Sequence, residues 1–106
     1  MARRKLSLPA IRRVARALPG VEEGTSYRTP AWRHCGKLLA RLHQDGCSIV
    51  LTVGNETRDH LLQADPQTFF VTDRYLGYPM VLARLDRLSP ADLKKLLVRA
   101  IDKKRQ

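Results

Sequence analysis

Eighteen consecutive residues, Thr25 to Leu42, decide the fold of this chain: TSYRTPAWRHCGKLLARL. Within them, Ala31 to Cys35 is predicted to form a short strand that begins after the bend at Pro30. Gly36 predicts a tight turn into a second strand, Lys37 to Leu42. The segment therefore predicts a β-hairpin that belongs to an antiparallel sheet.

The two faces of the second strand differ in polarity. Leu38, Ala40 and Leu42 share one face, which we expect to be buried. Lys37 and Arg41 lie on the other face. We expect that face to be wetter, because antiparallel sheets commonly bury one face and expose the other.

Further strands extend this hairpin into a meander. Asp45-Gly46 is a strong turn signal. The strand that follows, Cys47 to Val53, has one apolar face formed by Cys47, Ile49, Leu51 and Val53. Two more strands are predicted at Phe69 to Val71 and at Met80 to Leu85, joined by a loop.

Three helices are predicted around these strands. The first runs from about Leu8 to Leu18 with Ser7 as its N-cap, and the second spans about Asn55 to Ala64, with its first residue as the cap. Ser89 and Asp92 form a variant capping box for the last helix. The apolar stripe of that helix comprises Leu93, Leu96, Leu97, Ala100 and Ile101. The element order predicts an α+β fold, a mostly antiparallel sheet with helices on one face.

The chain has 106 residues, 43% of them hydrophobic, and fits a single domain over residues 1–106. We predict that residues 1–6 form a basic N-terminal arm and residues 102–106 a basic C-terminal tail. No apolar run approaches the ~20 residues of a membrane-spanning helix, and the basic start lacks the apolar core of a secretory signal. We therefore expect a cytoplasmic protein without a membrane partner, in which Cys35 and Cys47 are reduced.

The formal net charge is +10, and it is distributed unevenly. Residues 1–41 contain ten basic and two acidic residues, which gives +8. Residues 42–86 contain three basic and six acidic residues, which gives −3. Residues 87–106 contain seven basic and two acidic residues, which gives +5. Two basic ends around a slightly acidic middle favour an anionic partner.

Two segments give the chain a family resemblance. One is ARALPGVEEGTSYRTPAW, from Ala15 to Trp32, and the other is FFVTDRYLGYPMVLARL, from Phe69 to Leu85. At these spacings the chain resembles the MmcQ/YjbR family of small bacterial proteins over about Val14 to Ala100, with Arg28 and Met80 departing from the family pattern. The resemblance implies a CyaY-like α+β fold related to that of frataxin, with a double-wing arrangement of β-hairpins, and a DNA-binding role.

Charge and resemblance together predict a non-enzymatic nucleic-acid-binding domain, with DNA favoured over RNA and a monomer as the default state. Basic side chains of the first helix and the hairpin would contact phosphates, because Lys and Arg contacts release the counterions of duplex DNA. Aromatic side chains, Tyr27 and Tyr78 among them, would stack on bases or sugars. The candidate binding residues are Arg12, Arg13, Arg16, Arg28, Trp32, Arg33, Lys37, Arg41 and Tyr75.

A second hypothesis belongs to a different class. The protein would be a small adaptor or a small-molecule-binding domain, because a fold does not fix a function. Its pocket would be lined by Trp32, Tyr75 and Tyr78. A closed apolar cavity with a few convergent polar groups would favour this hypothesis over the first.

Enzymatic and metal chemistry find little support in the sequence. His34 and Cys35 are strand neighbours that point to opposite faces, so they do not form a nucleophile and base pair. With His43 and Cys47 they match no familiar zinc spacing. The iron chemistry associated with frataxins depends on an acidic first helix, whereas this first helix is basic. We therefore predict no catalytic residue, no metal and no cofactor.

Overall fold

Six antiparallel strands form one sheet, and three α-helices pack against one of its faces. The computed structural model describes residues 6–104, with side chains described as far as residue 102. The strands are β1 (Val21–Ser26), β2 (Thr29–His34), β3 (Lys37–Leu42), β4 (Ser48–Thr52), β5 (Phe69–Phe70) and β6 (Met80–Arg84), in the spatial order β1-β2-β3-β4-β6-β5. The helices are α1 (Leu8–Arg16), α2 (Asn55–Ala64) and α3 (Pro90–Lys104). The predicted α+β class is confirmed.

Capping groups define the helix ends. The Ser7 hydroxyl accepts a hydrogen bond from the Ala10 N–H at 3.3 Å, and α1 ends before the predicted Leu18. The predicted capping box of α3 is confirmed, since Asp92 N–H donates to the Ser89 hydroxyl at 3.1 Å and Ser89 N–H donates to the Asp92 carboxylate at 3.4 Å. The predicted cap of α2 is wrong, because the residue before Asn55 takes the capping position without a side-chain bond.

Strand β1 was not predicted from the sequence. Its residues include Glu22 and Glu23, which are typical of a solvated loop, yet the whole strand pairs with β2 at the sheet edge. The connecting turn consists of Tyr27 and Arg28, which have φ values of 52° and 67°. Turns of this hand favour Asn or Gly at both positions, so Tyr-Arg gives no hairpin signal.

An irregularity between β2 and β3 changes which side chains of β3 reach the core. Trp32 pairs with Ala40 and Arg33 pairs with Leu38, which leaves Leu39 without a partner of its own. This is the two-against-one pattern of a β-bulge. Leu39 and Ala40 both join the helix-side core, whereas Leu38 is only half-buried. The predicted alternation is therefore correct at Ala40 and wrong at Leu38.

The sheet face turned away from the helices, here called the distal face, has a smaller core. One row of paired residues crosses it, formed by Ala31, Arg41, Val50, Leu82 and Phe70. Residues 71–79 lie between β5 and β6 in sequence and place Tyr75 against this row. The predicted wetter face is thus covered over part of its area.

The two ends of the chain differ from the predicted arm and tail. Leu6 is buried in the helix-side core, and its N–H donates to the Leu85 carbonyl at 2.8 Å. Helix α3 continues through residues 102–104, where the tail was predicted to begin. The rest of the predicted arm, residues 1–5, and of the tail, residues 105–106, lies outside the described residues. Within the described part of the chain, no helix has the length and apolar content needed to cross a membrane.

The bulge predicts unequal effects for two adjacent leucines. Leu39→Ala removes a fully buried side chain, so we expect it to lower the free energy of unfolding by about 2–5 kcal/mol. Leu38→Ala, the matched control, should cost clearly less because Leu38 is half-buried. Urea unfolding of both variants measures the difference, and a larger loss at Leu38 would contradict the bulge.

Candidate anion-binding surfaces

The basic residues predicted to form one surface lie on two sides of the sheet. Trp32 belongs to the helix-side core, so its strand neighbours Ala31 and Arg33 point to the distal face. The Arg33 side chain lies across Gly24, where its Nη1 is 3.5 Å from the position that a Cβ would take. The arginines of α1 are on the helix side. Arg33 and the arginines of α1 therefore point in opposite directions.

One carboxylate at the edge strand ties α1 to the hairpin. Glu23 accepts from the Arg12 Nε at 3.0 Å and 3.1 Å, and from the Trp32 Nε1 at 3.1 Å. Trp32 is 1% exposed, so its predicted stacking role is wrong and its ring is part of the core. Arg12 is partly neutralised by this ion pair, while Arg13 and Arg16 remain exposed.

Helix α3, which packs against α1, has exposed cations of its own. Its exposed basic residues flank the apolar stripe, which faces the core. Within residues 6–102, five exposed cations of the two helices have no hydrogen-bonding or carboxylate partner. These five are the helix-layer cations: Arg13, Arg16, Lys94, Lys95 and Arg99.

Lys94, Lys95 and Arg99 are not among the predicted binding residues, and none of them belongs to the predicted apolar stripe of α3. The signal that points to them is the +5 charge of residues 87–106. The sequence alone did not indicate that α3 packs against α1, because about seventy residues separate the two helices.

Two predicted hairpin cations are exposed but far apart. Arg28 lies in the turn before β2, and Lys37 follows the turn after it. A strand of this length separates its ends by roughly 20 Å. These two cations therefore cannot contact the same phosphate.

Arg41 has the least expected environment of the predicted binding residues. It is 2% exposed, although an exposed strand face was predicted. Its Nη2 donates a hydrogen bond to the Tyr75 hydroxyl. Its Cζ lies 5.1 Å from the centre of the Tyr27 ring and 5.9 Å from that of Tyr75. Two tyrosines from distant parts of the chain thus cover the guanidinium, which no strand alternation could predict.

A second arginine approaches the same two rings. The Cζ of Arg74 lies 5.1 Å from the Tyr27 ring centre and 5.8 Å from the Tyr75 ring centre. Arg58 of α2 helps to hold this segment, because its Nη1 donates to the Tyr78 carbonyl at 2.6 Å. Arg74 lies in a short 3-10 helix, Asp73–Tyr75, and had no sequence signal as a site residue.

The surroundings of Arg41 disfavour the charged form of its guanidinium. Burial lowers the pKa of its guanidinium, the nearby Arg74 charge lowers it further, and Tyr27 opposes the shift. Arginine nevertheless stays protonated in proteins. Among the described side chains, two buried polar atoms have no hydrogen-bond partner, Arg41 Nη1 and Thr52 Oγ1.

Trp32, Tyr75 and Tyr78 do not line one pocket. Trp32 is in the helix-side core, Tyr75 lies against the distal face, and Tyr78 is 57% exposed. A cleft of about 730 Å³ exists elsewhere, where residues of α2 and α3 meet those around β5. Its apolar lining residues are Leu61, Phe69, Leu88, Leu96 and Val98.

Potential metal ligands are dispersed over the described residues. Cys35 and Cys47 are both exposed, and neither forms a disulfide. Within the same part of the chain, no three His, Cys, Asp or Glu side chains come together as a metal site would require.

Comparison with known proteins identifies the family. A model of the YjbR family matches residues 16–102. This chain belongs to the YjbR family. The crystal structure of the Deinococcus radiodurans protein DR2400, which has a DUF419 domain, superimposes with a TM-score of 0.67 at 24% identity, covering 86% of this chain and 72% of that one. This similarity supports the YjbR-type fold. No curated protein matches the chain.

The buried bond between Arg41 and Tyr75 predicts a selective loss of stability. Tyr75→Phe removes the hydroxyl that pairs with Arg41 Nη2, so we expect a cost of about 1–3 kcal/mol in unfolding free energy. Tyr78→Phe is the matched control, and at an exposed ring it should cost less than about 0.5 kcal/mol. Thermal or urea unfolding distinguishes them, and equal effects would argue against a structural role for this bond.

Proposed function

We propose that this YjbR-family protein is a non-enzymatic nucleic-acid-binding domain that contacts the phosphates of duplex DNA through its helix-layer cations. The observation behind the proposal is the presence of five exposed, unpaired cations on two adjacent helices. We also propose that the protein is monomeric and cytoplasmic, and that its hairpins form a double-wing arrangement.

The charge environment favours the helix layer over the hairpin. Arg41 is buried and Arg33 lies on the distal face, so neither extends the basic surface of α1. The exposed cations of α3, which packs against α1, are included in the proposed interface instead. Long Lys and Arg side chains that are free of carboxylates suit phosphate contact, since binding replaces condensed counterions rather than an existing ion pair.

The proposed contacts are directed at the backbone of the nucleic acid and not at its bases. Trp32 and Tyr75 are buried, which removes two of the predicted stacking residues from the exposed surface. Phosphate contacts position a protein on duplex DNA without reading its sequence. We therefore expect similar affinity for unrelated duplexes of the same length.

Salt dependence tests this mode of binding. If all five helix-layer cations contact phosphates, the logarithm of the association constant should fall with the logarithm of salt concentration with a slope of about −4 to −5. Fluorescence anisotropy of a labelled duplex at several salt concentrations measures the slope. Binding that is absent at low salt, or insensitive to salt, would refute the proposal.

Two double variants with the same charge change locate the interface. Arg13→Glu with Arg16→Glu removes two helix-layer cations, so it should weaken binding strongly and reduce the magnitude of the salt slope by about two. Arg28→Glu with Arg84→Glu lowers the net charge equally at exposed sites outside the helix layer. Equal loss in both variants would show that overall charge, rather than the helix layer, governs binding.

A further inference from the structure

We propose that Arg41 and Arg74 form a second binding site, on the distal face, for the phosphate group of a small phosphorylated molecule, with Tyr27 as its cover. The site is separate from the helix layer, and its ligand class differs from duplex DNA. The inference therefore does not depend on the proposed nucleic-acid function.

Arg41 is a buried cation whose hydrogen bonding is incomplete. A buried charge is costly unless it is paired and hydrogen-bonded. Arg41 has the neutral Tyr75 hydroxyl on Nη2 and no hydrogen-bond partner on Nη1. Within the described residues, no carboxylate lies at ion-pair distance from it.

Other arginines of the same protein show how such groups are otherwise satisfied. Arg12 has the Glu23 carboxylate, and Arg58 has Asp59 and two backbone carbonyls. The Cζ of Arg84 lies 4.3 Å from the centre of the Phe70 ring, and its Nε donates to the Gln67 carbonyl at 3.1 Å. Arg41 is more buried than these three arginines, and its polar partner is a hydroxyl rather than a carboxylate or a carbonyl.

A second positive charge, that of Arg74, lies close to Arg41. Arg74 faces the same two rings as Arg41, and its charge disfavours that of Arg41. Like charges at close range repel each other, and burial weakens the screening by water and salt. An anion held by both guanidiniums would replace this repulsion with two favourable contacts.

The charge of the two guanidiniums selects the anion. A phosphomonoester has a charge of about −1.5 to −2 near pH 7, which balances two arginines. The planar donor fork of arginine also matches phosphate oxygens in pairs. A single carboxylate would balance one guanidinium only, and each phosphodiester of a DNA backbone has a single charge.

Tyr27 gives the site its cover. Its ring lies 5.1 Å from both guanidinium carbons and is 64% exposed on the outside. Tyr27 and Arg28 both adopt left-handed backbone conformations, which cost non-glycine residues free energy. The turn itself is closed by the pairing of Ser26 with Thr29, so the Tyr27 ring can move without unpairing the strands. An anion that engages the two arginines would release this ring.

Calorimetric titration of the whole protein tests the inference. The ligands are inorganic phosphate, glycerol phosphate and acetate, in a buffer free of phosphate at constant ionic strength. We expect saturable binding of the phosphates, with acetate at least tenfold weaker. Tighter binding of glycerol phosphate would identify an ester as the ligand, and tighter binding of inorganic phosphate would identify the free ion; both agree with a phosphate site.

Matched variants assign the binding to this site. Arg74→Gln changes an exposed residue and should weaken phosphate binding at least tenfold, whereas Arg84→Gln, on an exposed arginine that also packs on a ring, should change it less than twofold. Phosphate should shift the NMR ring signals of Tyr27 more than those of exposed Tyr78.

Three results would overturn the inference: no saturable phosphate binding, acetate binding as strong as phosphate binding, or an unchanged affinity in Arg74→Gln. The double variant Arg13→Glu with Arg16→Glu separates the two proposals. It should lose DNA binding and keep phosphate binding, and parallel loss of both would place the phosphate on the helix layer instead.

Discussion

The β-bulge at Leu39 is the constraint on which the rest of this structure depends. By placing two consecutive side chains of β3 on the helix side, it lets Leu39 and Ala40 both enter the main core while Arg41 stays on the distal face. The bulge thus fills the space beneath α3 and sets the charged residue of the strand against the opposite core. Bulges commonly re-aim side chains in this way and often lie near functional sites.

Glu23 connects several elements on the helix side of the sheet. Its carboxylate binds the indole of Trp32 and the guanidinium of Arg12, so it connects the core, the edge strand and α1. An ion pair at this partly exposed position adds modest stability, but it removes Arg12 from the set of free cations. Arg13 and Arg16 remain exposed on α1, and α3, which packs against α1, has exposed Lys94, Lys95 and Arg99.

The two proposed sites use arginine in different ways. On the helix layer the side chains are exposed and long, so they offer loose contacts that depend on salt. On the distal face Arg41 is fixed by Tyr75 and covered by Tyr27, so little rearrangement of its own side chain is needed to bind an anion. Restricting a side chain before binding reduces the entropy lost on association. Membership of the YjbR family is compatible with either use.

The sequence by itself determined the alternation of helices with groups of strands, the α+β class, the capping of α1 and α3, and the family, because turn residues, caps and apolar periodicity are local signals. It could not determine the edge strand β1, whose Tyr27–Arg28 turn lacks the usual residues, or the bulge that reverses the position of Leu38. Only the tertiary structure decided which cations share a surface. It buried Arg41 beneath two tyrosines and joined α1 to α3, since contacts between residues distant in sequence leave no periodic trace along the chain.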